Sequence, residues 1–278
     1  MNFPEYVRAV GRNWSGDDSR LVILRCPAST HQLARRIVVE YGDESAVAPA
    51  SDFLAWQQSE GHGREGRLWS SPPGAGVYAT LIRPLEHPDP ELAVPVQTLP
   101  LRVACALAES INLLLAGKCR LKWPNDLLVG GRKLGGILID VVSRAEAPGV
   151  AVISFGINYA AECEVPGATS LLDEAATSLD LPGFAAQLVA AVDRSLKRAE
   201  SAEDTAERFA ELAIHQPGDS LSWQYDGTEL EGIFRGFDEH GFLRLEVDGE
   251  LRVLTSGDVA SVGVTGNVGA TGSVGGDA

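Results

Sequence analysis

The sequence predicts a helix-and-strand domain of the α+β or α/β class over residues 1–217, followed by a small antiparallel β-barrel over 218–262. Three observations carry this reading. Up to about residue 215, short apolar, β-branched runs alternate with segments whose apolar residues repeat at helical spacing. After Gln216-Pro217-Gly218 the helical spacing stops. Short strands follow, separated by the Asp-Gly pairs 226–227 and 248–249 and by the loop 238–241, all hairpin punctuation. The length of 278 residues, at roughly 150 per domain, leaves room for one large unit and one small one.

Each element has its own signal. Residues 21–24 (LVIL) read as a short buried strand. Ser29 and Gln32 fit the S-x-x-Q capping box, and Leu33 and Ile37 continue one face, so a helix runs from Ser29 to near Gly42. Residues 53–58 read as a strand, a glycine-rich loop follows, and 77–84 read as another strand. Residues 101–116 place Leu107, Ile111, Leu114 and Leu115 on one side of a helix, with Gly117 where a C-terminal cap is wanted. Residues 136–142 and 150–157 are β-branched strands, and 183–199 repeat Phe184, Leu188, Val192 and Leu196 at helical spacing. In the small unit Leu243, Leu245 and Val247 alternate with Arg244 and Glu246. Residues 263–278 carry glycine at every third position from Gly263 to Gly275, without proline and with too few triplets for a collagen helix, so they read as a flexible tail.

Composition narrows the function. Hydrophobic residues at 45% and charged residues at 22% exclude wholesale disorder. A net charge of −15 gives no cationic footprint for nucleic acid, so no DNA partner is expected. No apolar run approaches the roughly 18 residues of a membrane helix, and residues 1–14 lack the basic and apolar regions of a secretory signal. Cys26, Cys105, Cys119 and Cys163 show no metal-ligand spacing and read as the reduced thiols of a cytoplasmic protein. Of the 23 basic residues only Lys118, Lys122, Lys133 and Lys197 are lysines, and two of these sit in the most chemical-looking stretches.

Three segments carry that chemistry. In 57–76, Gly61, Gly63 and Gly66 formally satisfy G-x-G-x-x-G, but Pro72 and Pro73 prevent a helix from opening after the third glycine, so this is no dinucleotide fingerprint. It is either an anion-wrapping loop carrying Arg64 and Arg67 or a surface glycine turn with solvated arginines. Its arginines repel one another, so an anion should order it. In 121–140, Lys122, Asn125 and Asp126 surround a Trp-Pro corner, and Arg132 and Lys133 occupy a glycine-framed turn before the strand. Lys133 there either neutralises a carboxylate or phosphate or decorates a plain hairpin, and Asp126 is either a catalyst or a turn former. In 155–160, Asn158 offers a donor and an acceptor to an adenine edge, or serves the turn itself.

Taken in order, these segments resemble the biotin protein ligases (biotin–[acetyl-CoA-carboxylase] ligases). The matching pieces are Ser29-Thr30, Gln58-x-x-Gly61-x-Gly63-Arg64-x-Gly66-Arg67-x-Trp69, Lys122-Trp123-Pro124-Asn125-Asp126, Arg132-Lys133-Leu134-x-Gly136-Ile137-Leu138 and Gly156-Ile157-Asn158, within roughly 21–262. The resemblance implies an α+β fold: a mixed β-sheet with helices, like a class II synthetase, then an SH3-like barrel. It implies ATP and biotin as substrates, Mg²⁺ with the ATP, and a biotin carboxyl carrier domain of acetyl-CoA or a related carboxylase as acceptor. Biotinyl-5′-AMP forms first, and biotin then passes to a carrier lysine.

By that resemblance Lys133, Arg64 and Asp126 are catalytic, Lys133 bridging carboxylate and α-phosphate and Asp126 orienting Mg²⁺ or the incoming lysine. The biotin site comprises Ser29, Thr30, His31, Gln58, Gly61, His62, Gly63, Arg64, Trp69, Lys133 and Gly136. The adenylate site comprises Arg64, Arg67, Trp69, Lys122, Asn125 and Asn158. No metal-ligand residues are assigned. Three positions depart from the usual pattern: His62 where Arg is common, His31 where Asn is common, and Asp140 where many members have Glu. A lipoate or octanoate ligase of the same fold is the alternative, and the KWPND and GRxGRxW wording argues against it. Some relatives carry an N-terminal DNA-binding module, for which the stretch before Ser29 is expected to be too short. The resemblance allows a homodimer.

Overall fold

The computed structural model describes residues 1–15, 20–41, 51–85, 95–143, 149–160, 165–175 and 179–262. The glycine-rich segment 263–278, expected to be a flexible tail, and Cys163 lie outside the described residues.

Seven strands form one mixed sheet, ordered β1-β2-β3-β7-β6-β5-β4. They are β1 (Leu21–Leu24), β2 (Ser51–Ala55), β3 (Gly76–Pro84), β4 (Cys119–Lys122), β5 (Asp126–Val129), β6 (Arg132–Val142) and β7 (Val150–Asn158). Only β1 and β2 pair in parallel; every other pairing is antiparallel. The two faces differ because side chains alternate. Val77, Ala79 and Leu81 of β3 and Ala151, Ile153, Phe155 and Ile157 of β7 enter the large core. Helices α1 (Phe3–Asn13), α3 (Leu99–Leu115), the one-turn α4 (Leu171–Glu174) and α5 (Leu181–Lys197) contribute Tyr6, Leu107, Leu171 and Leu188 to it. On the other face a small cluster of Ala34, Val38, Phe53, Ile82 and Val152 seats α2 (Thr30–Tyr41), leaving the middle of that face for polar side chains.

Several elements differ from the expectation. Helix α1 begins with a full capping box, the Asn2 side chain accepting from Glu5 N–H and Glu5 reaching back to Asn2 N–H. Strands β4 and β5 flank the Trp123-Pro124 corner. Arg132 and Lys133 are the first residues of β6, and the turn is Gly130-Gly131, both at positive φ as a tight hairpin requires. Helix α6 (Ala202–Leu212) is capped by Ser201 and Asp204. Segment Val96–Leu115 has the length and apolar composition of a membrane helix, longer than the sequence reading allowed, yet 72% of it is buried inside the protein, as a core helix is. Cys105 and Cys119 are buried free thiols whose pKa values desolvation pushes up to about 12.

The C-terminal part is a five-stranded antiparallel sheet, ordered β11-β10-β9-β8-β12, of β8 (Ser220–Tyr225), β9 (Thr228–Phe237), β10 (Leu243–Val247), β11 (Glu250–Leu254) and β12 (Asp258–Ser261). Strands β11 and β12 are its two edges, and among the described residues no pairing between them closes the sheet into the expected barrel. Its apolar side chains, Leu221, Phe234, Leu243 and Val259 among them, join the main core as one cluster. Phe209 of α6 meets Phe237 edge-on at 5.3 Å, and Trp123 Nε1 donates to Gly241 O at 3.1 Å. Gly241 sits at φ +78°, where a Cβ would lie 2.0 Å from Leu101 Cδ2. Gly241→Ala should therefore cost about 2 kcal/mol of stability in urea unfolding. Adding Leu101→Ala should remove the steric part and leave the backbone part.

Candidate active site

The polar side chains on the α2 face of the central sheet form one hydrogen-bonded chain. Register places Thr80 of β3 opposite Ser154 of β7, and their hydroxyls lie 2.8 Å apart. Thr80 Oγ1 and Thr30 Oγ1 lie 2.8 Å apart. Thr30 N–H donates to Gln58 Oε1 at 2.8 Å, Thr30 Oγ1 lies 3.1 Å from the same oxygen, and Gln58 Nε2 donates to Ser71 Oγ at 2.9 Å. At the other end Ser154 Oγ lies 2.7 Å from His31 Nδ1, and His31 Nε2 lies 3.1 Å from Asp140 Oδ2, which Arg35 also engages at 3.2 Å. Ser29, Thr30, His31, Ser71, Thr80 and Ser154 are all buried. Each would cost about 1–3 kcal/mol if left unpaired, so the chain is a requirement of burial as well as a feature of the site. Desolvation lowers the His31 pKa; Asp140 opposes this, and the charges of Arg35 and His62 add to it.

The segment after Gln58 is held against this chain by its backbone. Ser59 and Glu60 N–H donate to the Pro27 and Ala28 carbonyls, and Trp69 N–H donates to Gly61 O. Gly61 permits the approach: a Cβ there would stand 2.3 Å from Trp69 O and 2.7 Å from Ser71 Oγ. His62 bridges to Leu68 across the loop, and its Nε2 accepts from Gln32 Nε2, 3.1 Å away. Gln32 thus turns to His62 and leaves the expected capping box half made, since only its N–H reaches Ser29 Oγ, at 3.4 Å. The Trp69 ring lies flat on β7, because a Cβ at Gly156 would sit 2.5 Å from it; Gly136 is directly opposite Gly156 in the ladder. Trp69 Nε1 is buried with no protein partner among the described residues.

Lys133 stands above this floor. Its Nζ is 2.7 Å from Asp126 Oδ1 and 5.7 Å from the Trp69 ring centre. Its backbone is gripped twice, Lys133 N–H donating to Gly167 O and Lys133 O accepting from Thr169 N–H, so the side chain starts from a fixed point. Asn125 donates to and accepts from the Ile137 backbone, and its Oδ1 accepts from Arg64 Nη1 at 3.2 Å. Arg64 also reaches Gly257 O at 3.3 Å and Asp258 Oδ1 at 3.7 Å, and Arg67 pairs with Asp258 Oδ2 and with Glu65. The mutual repulsion expected of these arginines is therefore relieved by an internal anion, Asp258 of β12.

Two assigned residues stand apart from this group. Lys122 makes no ion pair among the described residues; its charge is felt at buried His215, whose pKa burial and Lys122 together push down to about 4. Asn158 is buried, and its amide donates to Thr169 O and Lys133 O, so it ties the strand end to the lysine. Sequence reasoning missed Ser71, Thr80, Ser154 and Asp258. Thr80 and Ser154 had a signal: each interrupts an otherwise apolar buried strand. An open cleft of about 350 Å³ beside Arg67 carries Glu65, Asp226, Glu229 and Asp258, a lining that repels a polyphosphate.

Residues 36–158 match the biotin/lipoate A/B protein ligase family, and 224–260 match the biotin protein ligase C-terminal domain. The bifunctional ligase/repressor BirA of Escherichia coli is 34% identical over 215 residues, 74% of this chain. The chain spans 65% of that relative's length. The biotin–[acetyl-CoA-carboxylase] ligase of Paracoccus denitrificans is 30% identical over 229 residues, covering 77% of this chain and 92% of that one. In fold, the chain is similar to the biotin protein ligase of Aquifex aeolicus, solved with biotin and ATP, with a TM-score of 0.68 at 20% identity over 87% of this chain and 98% of that one. A mixed sheet with the Thr30–Gln58 chain on one face, the Lys133–Asp126 pair at its end, and family matches in both sheets lead to one assignment: the chain belongs to the biotin protein ligase family.

Proposed function

We propose that this protein activates biotin with ATP and transfers it to a lysine of a biotin carboxyl carrier domain, in the cytoplasm. The observation that carries the reading is Lys133: a backbone-gripped cation over an aromatic floor, paired with a carboxylate it can exchange for a substrate anion. The match of 224–260 to a biotin protein ligase C-terminal domain favours biotin over lipoate or octanoate. Residues 1–217 hold the substrates in this reading, and 218–262 brace the loop that covers them.

In the first step a biotin carboxylate oxygen attacks the α-phosphorus of ATP, and the α–β bridging bond breaks to release pyrophosphate. Two anions must meet, and Lys133 lowers that barrier by leaving Asp126 and sitting between them. Arg64, held by Asn125, faces the same space from the loop. Thr30 and Gln58 receive the ureido ring, and Trp69 walls the thiophane and supplies its free Nε1–H. In the second step the carrier ammonium gives a proton to Asp126, released by Lys133; the neutral amine attacks the acyl carbon, the acyl–phosphate C–O bond breaks to expel AMP, and the new amide nitrogen sheds its extra proton to solvent. Mg²⁺ arrives with the ATP phosphates.

Incubation with ATP, Mg²⁺, biotin and a carrier domain should add one biotin to the carrier, read by mass. An unmodified carrier with a folded enzyme would overturn the reading. Lys133→Ala should slow biotin-dependent pyrophosphate exchange by at least about 100-fold, a barrier of about 3 kcal/mol, without a matching loss of thermal stability. Asp258→Asn should release Arg67 from β12 and weaken the hold on Arg64, and hydrogen exchange at the Gly63 and Trp69 amides should quicken several-fold without ligand. Unchanged exchange would show that the backbone alone holds the loop.

A further inference from the structure

The hydroxyl chain has one proton arrangement that fills every contact, and it requires a charged His31. Thr30 N–H can only donate, so the Gln58 atom facing it at 2.8 Å is the acceptor Oε1. Suppose first that Thr30 Oγ1 also donates to Gln58, as its 3.1 Å separation allows. Its single proton is then used, so Thr80 must donate to Thr30, and Ser154 must donate to Thr80. His31 Nδ1 must then donate to Ser154, while Nε2 donates to the Asp140 carboxylate. Both ring nitrogens carry protons, and His31 is an imidazolium.

A neutral His31 keeps its one proton on Nε2, where Asp140 accepts it. Ser154 then donates to Nδ1, Thr80 to Ser154 and Thr30 to Thr80. The protonless contact falls at the far end, where Thr30 Oγ1 and Gln58 Oε1 become two acceptors 3.1 Å apart. Placing it between Thr80 and Ser154, or between Thr30 and Thr80, would bury two facing acceptors 2.8 Å apart with nothing to relieve them. A cyclic urea brings an N–H that two such acceptors can share.

We propose that His31 is a positioning residue for the biotin ureido ring: neutral, it directs the chain so that Thr30 Oγ1 and Gln58 Oε1 accept a ureido N–H, and protonated, it reverses the chain and fills that acceptor pair. The inference rests on the biotin reading above. The charged and titratable groups facing His31 are Asp140 from β6, Arg35 from α2 and His62 from the loop; Ser154 of β7 is its neutral partner. Burial holds the His31 pKa below the ordinary histidine value, so the competent state prevails at neutral pH and is lost as pH falls through that pKa.

The test is calorimetric biotin binding to the full chain from pH 7.5 down to one unit below the His31 midpoint, with the His31 ring nitrogens followed by NMR in the same samples. The biotin Kd should rise about tenfold one pH unit below the His31 midpoint, because only the neutral fraction binds. Its inflection should coincide with the His31 titration. His31→Asn, which cannot titrate, and Ser154→Ala, which cuts the chain, should each abolish the dependence, whereas His62→Asn should keep it. A flat wild-type Kd, an inflection away from the His31 midpoint, or a dependence surviving in His31→Asn or Ser154→Ala would overturn the inference and leave biotin binding intact. Absence of biotin binding at every pH would overturn the biotin reading and this inference with it.

Discussion

The register between β3, β7 and β6 is the constraint from which the rest of the site follows. Two-residue alternation sends one set of side chains into the large core and the other onto the α2 face. A slip of one residue would exchange the two sets, burying Thr80 and Ser154 in the apolar core and exposing Ile153. The same register sets Gly136 against Gly156, leaving a patch of bare backbone wide enough for an indole. Trp69 rests there, and Lys133 is aimed across it. Polar chain, aromatic floor and cation are three consequences of a single pairing.

Charge is arranged on a different principle. The chain carries a net charge of −15, yet the residues suited to anions are concentrated in one place, and each cation there has an acidic partner nearby: Asp126 for Lys133, and Asp258 for Arg64 and Arg67. These pairs are partly exposed, where an ion pair contributes little to stability. Weak internal partners suit a site whose cations must change hands, since a substrate anion then competes with a carboxylate for the cation and does not confront an uncompensated charge cluster. Because Asp258 lies on β12, the C-terminal sheet takes part in holding the loop over the catalytic face.

Much of this was legible in the sequence, and the limits are physical. The long helices Leu99–Leu115 and Leu181–Lys197 and the strands β3, β6 and β7 declare themselves because burial on one or both faces forces a periodic apolar pattern. Helices α1 and α6 were missed although their capping boxes, Asn2 to Glu5 and Ser201 to Asp204, stand in the sequence; their apolar stripes are too short to stand out. Strands β4 and β5 escaped because four residues on either side of a Trp-Pro corner show no period. Of the site, the motif residues from Gln58 to Trp69 and from Lys122 to Lys133 were readable by wording. Asp258 was not, since an acidic residue after a glycine in a distant strand has no local signature of its partners 191 and 194 positions away (258 − 67 and 258 − 64).

Two departures from the usual family wording turn out to be one. His31 stands where Asn is common and Asp140 where Glu is frequent, 109 positions apart (140 − 31). In space they touch, Nε2 to Oδ2 at 3.1 Å. An imidazole reaches farther than a carboxamide, and an aspartate is one methylene shorter than a glutamate, so the two changes in length run in opposite directions. The exchange is not neutral in chemistry. An amide carries fixed donors and a fixed acceptor, whereas an imidazole changes which of its nitrogens donates when it takes up a proton. At a position whose neighbours are hydroxyls, each able to donate or accept, that change is transmitted to Thr30 and Gln58. With histidine at this position the chain of hydroxyls ends on a group that can reverse, where an amide would have fixed it.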